Sequence, residues 1–560
     1  MSMWRWALAA VLVSSVYGCD SGDSEGNEAA GGSTEGAGAS RGETPSGTPT
    51  WHQDIAPIIS ENCAGCHHEG GIGPFALETY EQAAPLAGLI LDSVQSGRMP
   101  PWGADETDSC SPRLGFKDDL RLTDAQLSAL AGWQAAEAPE GDPATAAEIV
   151  ERRVDTLARV DRALTPKIPF TTQGDTDQFR CFVLDPGFTE ETFVNAVHFE
   201  PGDPRVVHHL LLYVDQEGEE ATELGGEEGA YDCFGGPRAG DDFLVAAWAP
   251  GGVPTELPEN AAFPIQAGAK FVLQVHYHPL GDEPAEDLTT TQLQILDHTP
   301  EYTAFTALLG NFDSLEGEAD GLLPGMNDPA EGPAFMIPAG AEGHTERMAY
   351  TIPGTFDDRP FPGMFLYSVA SHMHYVGTDM QIDLVRTEQV PMCSADELAP
   401  LQACMDEACP GLTGIQSVVC ATMSCEEHVD ALSSNCGGCL EYEALNGAED
   451  AFAPCSVVRV PEQYGELPEQ PENECLLQTP NWNFEWQRFY TYEAPIEELP
   501  FVVAGDRFEF ECTFDNSMAN PFVREALAEQ GLDTPQDVVL GDETLDEMCL
   551  FAVTVLFKWE

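Results

Sequence analysis

Three short apolar runs that carry histidines decide the fold prediction: VVHHLLLYV (206–214), FVLQVHYH (271–278) and SHMHYVG (371–377). The third follows directly on another apolar run, 364–369, and a further one lies at 548–557. Gly, Pro and Asp residues separate these runs. Short apolar runs with such punctuation are typical of strands in β-sandwiches. From about residue 170 onwards, the chain is therefore predicted to be mainly β.

The histidines in these runs are candidate metal ligands. Residues i and i+2 of a strand face the same side, so His372 and His374 can share one metal ion. His208 and His209 are adjacent and would diverge on an ideal strand, so both can bind one ion only with a local distortion. Any one of these histidines, taken singly, is more often structural than metal-binding. Their concentration on strands in one half of the chain, together with His276, favours the metal-binding interpretation.

Charge excludes one class of partner. The 560 residues include 23 Lys and Arg against 96 Asp and Glu, a net charge of −73 at pH 7. So acidic a surface repels phosphate backbones, and we expect no nucleic-acid binding. The acidity otherwise indicates solubility and names no partner. The length predicts three or four domains.

The N-terminus predicts export. Residues 1–18 hold one arginine, Arg5, and an apolar run at 7–13 that is too short to span a bilayer, as in a secretory signal. The sequence VYGC at 16–19 resembles a bacterial lipobox, in which Cys19 would be lipidated. The alternative is an ordinary secreted protein with an incidental cysteine. Residues 19–50 are rich in Gly, Ser, Glu and Thr and predict a flexible tether. We expect a protein that is lipid-anchored at a bacterial envelope membrane.

A haem-attachment motif follows the tether. Cys63, Cys66 and His67 form C-x-x-C-H, in which two thiols bind the porphyrin edge and the histidine supplies an axial nitrogen to iron. Met99, in RMPPW, is the candidate second axial ligand, because the two prolines stop it from continuing a helix. The alternatives are a structural disulfide and a packing methionine. Residues 51–142 are predicted to be a small all-α domain of the class I cytochrome c type that binds one c-type haem.

The last helix of this domain has a recognisable start. Thr123 and Gln126 predict a capping box, and Leu122 with Leu127 predicts a hydrophobic staple. Residues 143–170 are interpreted as a linker.

Cysteine usage also indicates an oxidising compartment. Of 17 cysteines, fourteen remain when Cys19, Cys63 and Cys66 are set aside. Eight of them lie within about 391–456, which predicts a disulfide-stapled insert of undetermined connectivity, with a zinc knuckle as the alternative. These eight are Cys393, Cys404, Cys409, Cys420, Cys425, Cys436, Cys439 and Cys455.

The order of motifs carries a resemblance. HHLLLYV, WAPGG, FVLQVHYH and SHMHYVG, followed by a cysteine and by EMC, resemble the copper type II monooxygenases, which include peptidylglycine α-hydroxylating and dopamine β-hydroxylating enzymes. The resemblance implies two jelly-roll-like β-sandwich copper domains, 171–298 and 299–560, that flank a solvent-filled cleft. It implies an electron-transfer copper on His208, His209 and His276, and an oxygen-binding copper on His372, His374 and Met548. It also implies the disulfides Cys181–Cys233 and Cys512–Cys549.

The types of donor atom suit copper independently of the family resemblance. Imidazole binds copper well, and a thioether such as that of Met548 favours Cu(I). A methionine ligand argues against zinc hydrolysis, the rival chemistry for such sites. His278, on the same face as His276, is the runner-up ligand.

Two departures from the family pattern limit the substrate. Ala370 stands where peptide-amidating members carry an arginine that holds the substrate carboxylate, and Leu550 and Ala552 replace an asparagine and a tyrosine. We therefore expect a substrate smaller or more apolar than a glycine-extended peptide.

The predicted function is a copper-dependent monooxygenase that hydroxylates a C–H bond of a small molecule with O₂. Electrons would come from an external donor through the fused c-type haem and enter at the three-histidine copper. The alternatives are a haem and copper electron-transfer or redox-sensing protein, and a copper-storage protein.

Two cysteines remain unassigned after these pairings. They are Cys110 in the haem-motif region and Cys475 in the second copper domain. A bridge between them is predicted to hold the cytochrome on that domain.

Overall fold

We describe a computed structural model of the chain. It describes residues 47–560 except 70, 72, 150–155, 175, 234–235, 239–241, 251, 312–320, 326–333, 357–358, 388–390, 447, 449, 459–461, 466, 542–545 and 559–560. Cys19, the signal peptide and most of the tether lie outside the described residues. None of the described helices combines the length and apolar character that crossing a bilayer requires.

A helical region with its own core precedes the sheets. Trp51, Ile59, Leu130 and Trp133 are buried together in it. The predicted capping box is confirmed, because the Thr123 side chain accepts from the backbone of Gln126 while the Gln126 side chain accepts from the backbone of Thr123. The helices are α1 (Ala56–Asn62), α2 (Tyr80–Ala83), α3 (Ala87–Gln95) and α4 (Asp124–Ala135), with a π-helical turn at Trp51–Ile55 and 3₁₀ turns at Ala84–Leu86 and Pro143–Thr145.

Twelve strands and one helix lie between residues 162 and 295, so β1 falls within the stretch interpreted as a linker. The strands are β1 (Arg162–Leu164), β2 (Phe170–Gly174), β3 (Gln178–Leu184), β4 (Thr192–Glu200), β5 (Val207–Asp215), β6 (Ala230–Asp232), β7 (Asp242–Trp248), β8 (Thr255–Glu256), β9 (Ala261–Ile265), β10 (Lys270–Tyr277), β11 (Gly281–Asp287) and β12 (Thr290–Ile295). Helix α5 (Glu219–Gly225) lies between β5 and β6. A five-stranded sheet in the order β6-β3-β10-β5-β7 carries the first group of histidines on β5 and β10.

The second half of the chain adds thirteen strands. They are β13 (Tyr302–Gly310), β14 (Met336–Ile337), β15 (Glu342–Thr351), β16 (Thr355–Phe356), β17 (Arg359–Pro360), β18 (Met364–His372), β19 (Gly377–Val385), β20 (Asn473–Thr479), β21 (Tyr490–Thr491), β22 (Phe501–Val502), β23 (Arg507–Asp515), β24 (Val538–Val539) and β25 (Leu550–Phe557). One four-stranded sheet has the order β15-β23-β19-β20.

A ten-stranded sheet runs through both halves. Its main path is β1-β12-β4-β9-β13-β25-β18-β21, and the halves meet where β9 and β13 pair in parallel, with Tyr302 opposite Ala261. Buried side chains from the five-, ten- and four-stranded sheets, such as Leu210, Phe365 and Phe510, belong to one hydrophobic cluster. The prediction of a mainly β protein is confirmed, whereas the division into two jelly-roll-like sandwiches stays a prediction.

The cysteine-rich insert is helical. Its eight cysteines pair only with one another, in the disulfides Cys393–Cys436, Cys404–Cys425, Cys409–Cys420 and Cys439–Cys455. The insert contains α6 (Ala395–Ala408), α7 (Ile415–Ser424), α8 (Glu426–Val429), α9 (Ser434–Leu445) and α10 (Phe452–Cys455). Outside it lie α11 (Pro521–Glu529) and the 3₁₀ turns Glu462–Tyr464, Phe484–Trp486 and Ile496–Glu498.

A strap formed by residues 103–117 ties the helical region to the second half of the chain. Cys110 forms the predicted disulfide with Cys475, across a sequence separation of 365 residues. Phe116 pairs with Tyr492 as an antiparallel bridge, and their rings stack with centroids 5.2 Å apart. The strap therefore fixes where the C-x-x-C-H motif lies relative to the sheets.

Candidate metal centres

Three histidines converge where β5 and β10 pair. His276 lies opposite His209, but the next pair joins Tyr277 to Val207, so His208 is the extra residue of a β-bulge. A bulge re-aims a side chain that would otherwise point to the other face. This is the local distortion that the sequence required for His208 and His209 to act together.

The ring nitrogens of the three histidines are spaced to hold a single ion. The Nδ1 atoms of His208 and His209 are 3.4 Å apart, and each lies 3.2 Å from Nδ1 of His276. The centre of such a triangle is about 1.9 Å from each nitrogen, close to the roughly 2.0 Å of metal–imidazole bonds. Burial, followed by the neighbouring His276, lowers the pKa of His208 to about 4 and that of His209 well below its usual value. The rings are therefore held neutral, which is the form that binds metals.

Asp177 orients this cluster. Its Oδ2 accepts a hydrogen bond of 2.8 Å from Nε2 of His276, so the lone pair of that ring lies on Nδ1, towards the other two histidines. Its Oδ1 accepts from Nδ1 of His278 at 2.9 Å. Burial opposes ionisation of Asp177, but these two bonds outweigh it and hold its pKa well below the usual range. His278, the runner-up ligand, lies outside the cluster and is 66% exposed.

The second pair of histidines lies at the end of β18. The rings of His372 and His374 are perpendicular, with centroids 5.2 Å apart. Nδ1 of His372 donates to Oε1 of Gln487 at 2.6 Å, and Nδ1 of His374 donates to the backbone oxygen of Asp546 at 3.1 Å. Because each Nδ1 carries the proton, the lone pair of each ring lies on Nε2. Burial lowers the pKa of His372 and favours its neutral form.

Glu547 joins the chain around Met548 to this pair. Its buried carboxylate accepts backbone N–H bonds from His374, Val376 and Met548, the last at 2.9 Å. Burial raises the pKa of Glu547 to about 8, against the effect of these backbone bonds. The structure thus brings the backbone of Met548 beside His374, and the Met548 side chain is buried. The next residue is held by the Cys512–Cys549 disulfide.

The donor sets fit copper. Three imidazoles at one position, and two imidazoles next to a buried methionine at the other, are ligand types that copper accepts. The disulfide Cys181–Cys233 that the resemblance implies is present, on the sheet that carries the first set.

The haem motif has features that suit attachment. Cys63 and Cys66 are the two cysteines without a disulfide in the described part of the chain. Nδ1 of His67 donates to the backbone oxygen of Phe75 at 3.0 Å, which leaves the lone pair on Nε2 as an axial iron ligand requires. A Cβ at Gly73 would lie 2.6 Å from that Nδ1, so this loop can follow the His67 ring closely only with glycine. Met99, the predicted second axial ligand, is half-buried at the end of the turn after α3.

Comparisons with known proteins point the same way, over a small part of the chain. Peptidyl-glycine alpha-amidating monooxygenase A of Xenopus laevis is 29% identical over 121 residues, and the B form is 28% identical over 121 residues. The matched region is 21% of this chain and 12–13% of those proteins. No protein-family model matches. A chain in the cryo-EM structure of broad bean stain virus aligns with 74% of this chain at 8% identity. Its TM-score of 0.19 is too low to indicate a shared fold. The distant sequence similarity supports a copper monooxygenase-like domain.

Three supporting residues escaped the sequence analysis. Asp177, Gln487 and Glu547 each bond to a candidate ligand or its backbone, yet Asp177 is 99 positions from His276 and Gln487 is 115 from His372. Only the position of Glu547, directly before Met548, could have drawn notice. Nothing in the sequence distinguishes the other two from the many acidic and amide residues of the surface.

Proposed function

We propose that the chain is a copper-dependent monooxygenase with two copper sites, one on His208, His209 and His276 and one on His372, His374 and Met548. The overall reaction would be R–H + O₂ + 2 e⁻ + 2 H⁺ → R–OH + H₂O. The observation that carries the proposal is the triangle of Nδ1 atoms at 3.2–3.4 Å, together with a second, differently built histidine pair at the end of β18. The distant similarity to peptidyl-glycine alpha-amidating monooxygenases supports the same reaction class.

The protein's own residues would supply preorganisation. Copper, when bound, supplies one-electron redox chemistry and O₂ activation. Asp177 holds His276, Gln487 holds His372, and the carbonyl of Asp546 holds His374, each through the nitrogen that does not face the site. Fixing the tautomer and ring orientation in this way raises the affinity of a site for its metal. Glu547 and the disulfide at Cys549 keep the Met548 turn in place.

The substrate side of the proposal rests on what surrounds the second pair. Ala370 is buried on β18, two residues before His372, and offers no group for a carboxylate. The lining of an open cavity beside Gln487 is mostly apolar, with Trp248 and Tyr367, but includes the charged Arg488 and Glu256. Such a lining suits a small and largely apolar substrate with an activated C–H bond and a polar end.

The proposal includes a c-type haem on Cys63, Cys66 and His67, with Met99 as second axial ligand, that receives electrons from an external donor. The two cysteines without a disulfide, Cys63 and Cys66, and the orientation of His67 support it. We also propose export and anchoring through Cys19. The seven disulfides among the described cysteines favour an oxidising compartment.

Oxygen incorporation tests the function. The copper- and haem-loaded protein is supplied with a one-electron donor, ¹⁸O₂ and a panel of benzylic amines, N-acylglycines and alkylbenzenes. We expect substrate-dependent O₂ uptake and one ¹⁸O atom in a hydroxylated product. His374→Ala should abolish both, whereas the matched control His298→Ala changes an exposed histidine and should not. If the copper and haem are reduced and reoxidised but no compound is oxygenated, the electron-transfer alternative would be favoured.

A further inference from the structure

The haem-motif region, which is the helical region of residues 51–142 that carries C-x-x-C-H, contacts the sheets close to Met99. Trp102, three residues after Met99, packs its ring edge-on against Tyr490 with centroids 5.2 Å apart, and the Arg488 guanidinium lies 4.8 Å from the centre of the Trp102 ring. The hydroxyl oxygen of Tyr490 accepts from the backbone N–H groups of Gly103 and Ala104 at 3.0 and 3.1 Å. Residues 488–490 therefore form the contact surface against which the segment around Trp102 packs.

Arg488 is an unusual member of this contact surface. Its Nε is buried and has no hydrogen-bond partner, and no carboxylate of the described residues forms an ion pair with it. Burial lowers its pKa, and the nearby carboxylates of Asp118 and Asp119 oppose this shift. Arg488 thus places a positive charge against the Trp102 ring. It also lines the same open cavity as Pro101.

The residue before Arg488 contacts the second histidine pair. Oε1 of Gln487 accepts from Nδ1 of His372 at 2.6 Å, and Nε2 of Gln487 donates to the backbone oxygen of Phe484 at 3.0 Å, which fixes the amide orientation. One peptide bond therefore connects the residue that covers Trp102 to the residue that holds His372.

The three-histidine cluster is linked to this region less directly, through Trp248, which pairs with Leu210 and lines the same cavity as Pro101 and Arg488. The hydrogen-bond and ring partners of His208, His209 and His276 are one another, Asp177 and Phe179. All of these residues belong to the sheet β6-β3-β10-β5-β7 or to the turn before β3. Covalent and hydrogen-bonded routes favour electron tunnelling over gaps through space, so the two copper sites differ in their access to the haem.

We infer that electrons from the haem enter the copper pair at the His372 and His374 site, through residues 487–490, and not at the three-histidine cluster. The inference rests on the proposed binding of haem and copper. In such a step, one electron would pass from a ferrous haem held by Cys63, Cys66 and His67, which would become ferric, to a cupric ion held by His372 and His374, which would become cuprous, and no bond would be made or broken. An external one-electron donor then reduces the haem again. The copper at the three-histidine cluster would then be reduced by electron transfer from the His372 and His374 site.

Flash photoreduction separates the two entry points. Full-length protein with ferric haem and two cupric ions, without O₂ or substrate, receives less than one electron per molecule from a photoreductant. Haem absorbance then reports its reduction and reoxidation. We expect a reoxidation phase whose rate does not depend on protein concentration. His276→Ala should leave this rate within about twofold, and His372→Ala should abolish the phase.

Variants of Gln487, which lies between Arg488 and His372, give a second test. Gln487→Leu should slow the phase at least tenfold while metal analysis still finds two coppers, and Gln487→Glu should restore much of it. The EPR spectrum of the second copper should change in Gln487→Leu. Gln266→Leu alters an exposed glutamine of the first half and should match wild type in all three measurements.

The opposite pattern overturns the inference. Loss of the phase in His276→Ala with retention in His372→Ala would place entry at the three-histidine cluster. A protein with both metals and haem but no intramolecular phase would also contradict it. Because neither substrate nor O₂ is used, a protein that shows the expected phase but hydroxylates nothing would refute the proposed function and leave the entry point standing.

Discussion

Asp177 accepts a 2.8 Å hydrogen bond from Nε2 of His276, and this bond decides which nitrogen of the ring faces the other two histidines. The same carboxylate holds His278 through its second oxygen, outside the cluster. One residue therefore distinguishes the histidine that points into the cluster from the neighbour two positions away that does not.

Asp177→Ala should weaken copper binding at the three-histidine cluster by about 10- to 100-fold, because the ring of His276 loses its orienting acceptor. Titration with copper against a competing chelator measures this. His278→Ala is the matched control, since it removes the other bond of Asp177 and should leave affinity within about twofold. Equal losses in both variants would show that His278 is a ligand.

Met548→His should retain two coppers but lose more than nine-tenths of hydroxylation. The change replaces a soft sulfur that favours Cu(I) with a nitrogen, without removing coordination. Product formation and copper content, measured on the same sample, test this. A variant that kept wild-type turnover would exclude Met548 as the ligand that the resemblance implies.

Sequence reasoning reached the strand pairs but not their surroundings. Short apolar runs separated by turn residues predicted the mainly β half of the chain, and the adjacency of His208 and His209 correctly required a local distortion, which the bulge provides. The capping box at Thr123 is a local pattern and was readable for that reason. Asp177 and Gln487 were not, because their roles depend on contacts across 99 and 115 positions that no local pattern encodes.

The electron entry point that the resemblance predicts, at the three-histidine copper, differs from the one that we infer. The resemblance assigned electron transfer to the three-histidine copper, and the sequence offered nothing to say which site the haem-motif region would face. That depends on the strap and on the Cys110–Cys475 disulfide, which bring Trp102 onto Arg488. The pairing of the two cysteines itself followed by elimination, once the other twelve had partners.

Removing the Cys110–Cys475 disulfide should loosen the strap. The bond closes a loop of 365 residues, and losing such a bond costs about 2–5 kcal/mol. In the double serine variant, we expect faster proteolysis within residues 103–117 and slower haem reoxidation in the flash experiment. The double serine variant of Cys409 and Cys420, which lie within the insert, should leave both unchanged. An unaltered strap in the first variant would mean that its polar contacts alone suffice.

The insert should be acid-sensitive at a defined position. Burial opposes ionisation of Glu397, but hydrogen bonds from Ser394 and Ser433 outweigh it and lower its pKa from 4.5 to about 2. A carboxyl with a lowered folded-state pKa stabilises the fold above its unfolded pKa, and this contribution is lost as the pH falls from 4.5 towards 2. Glu397→Gln should therefore cost about 1 kcal/mol of unfolding free energy at pH 6 and almost nothing near pH 2.

Urea unfolding at the two pH values measures this difference. Glu407→Gln, on the same helix α6, is the control and should show a smaller effect at either pH. A cost for Glu397→Gln that did not change with pH would mean that the charge of Glu397 contributes nothing.

Copper stoichiometry tests the central claim most directly. The haem-loaded, full-length protein is saturated with copper, passed through a desalting column and analysed for metal per chain, together with His276→Ala and His372→Ala. We expect two coppers in the wild type and one in each variant, with EPR signals that differ between the two variants. One copper or none in the wild type, or the loss of both ions in either variant, would contradict the claim.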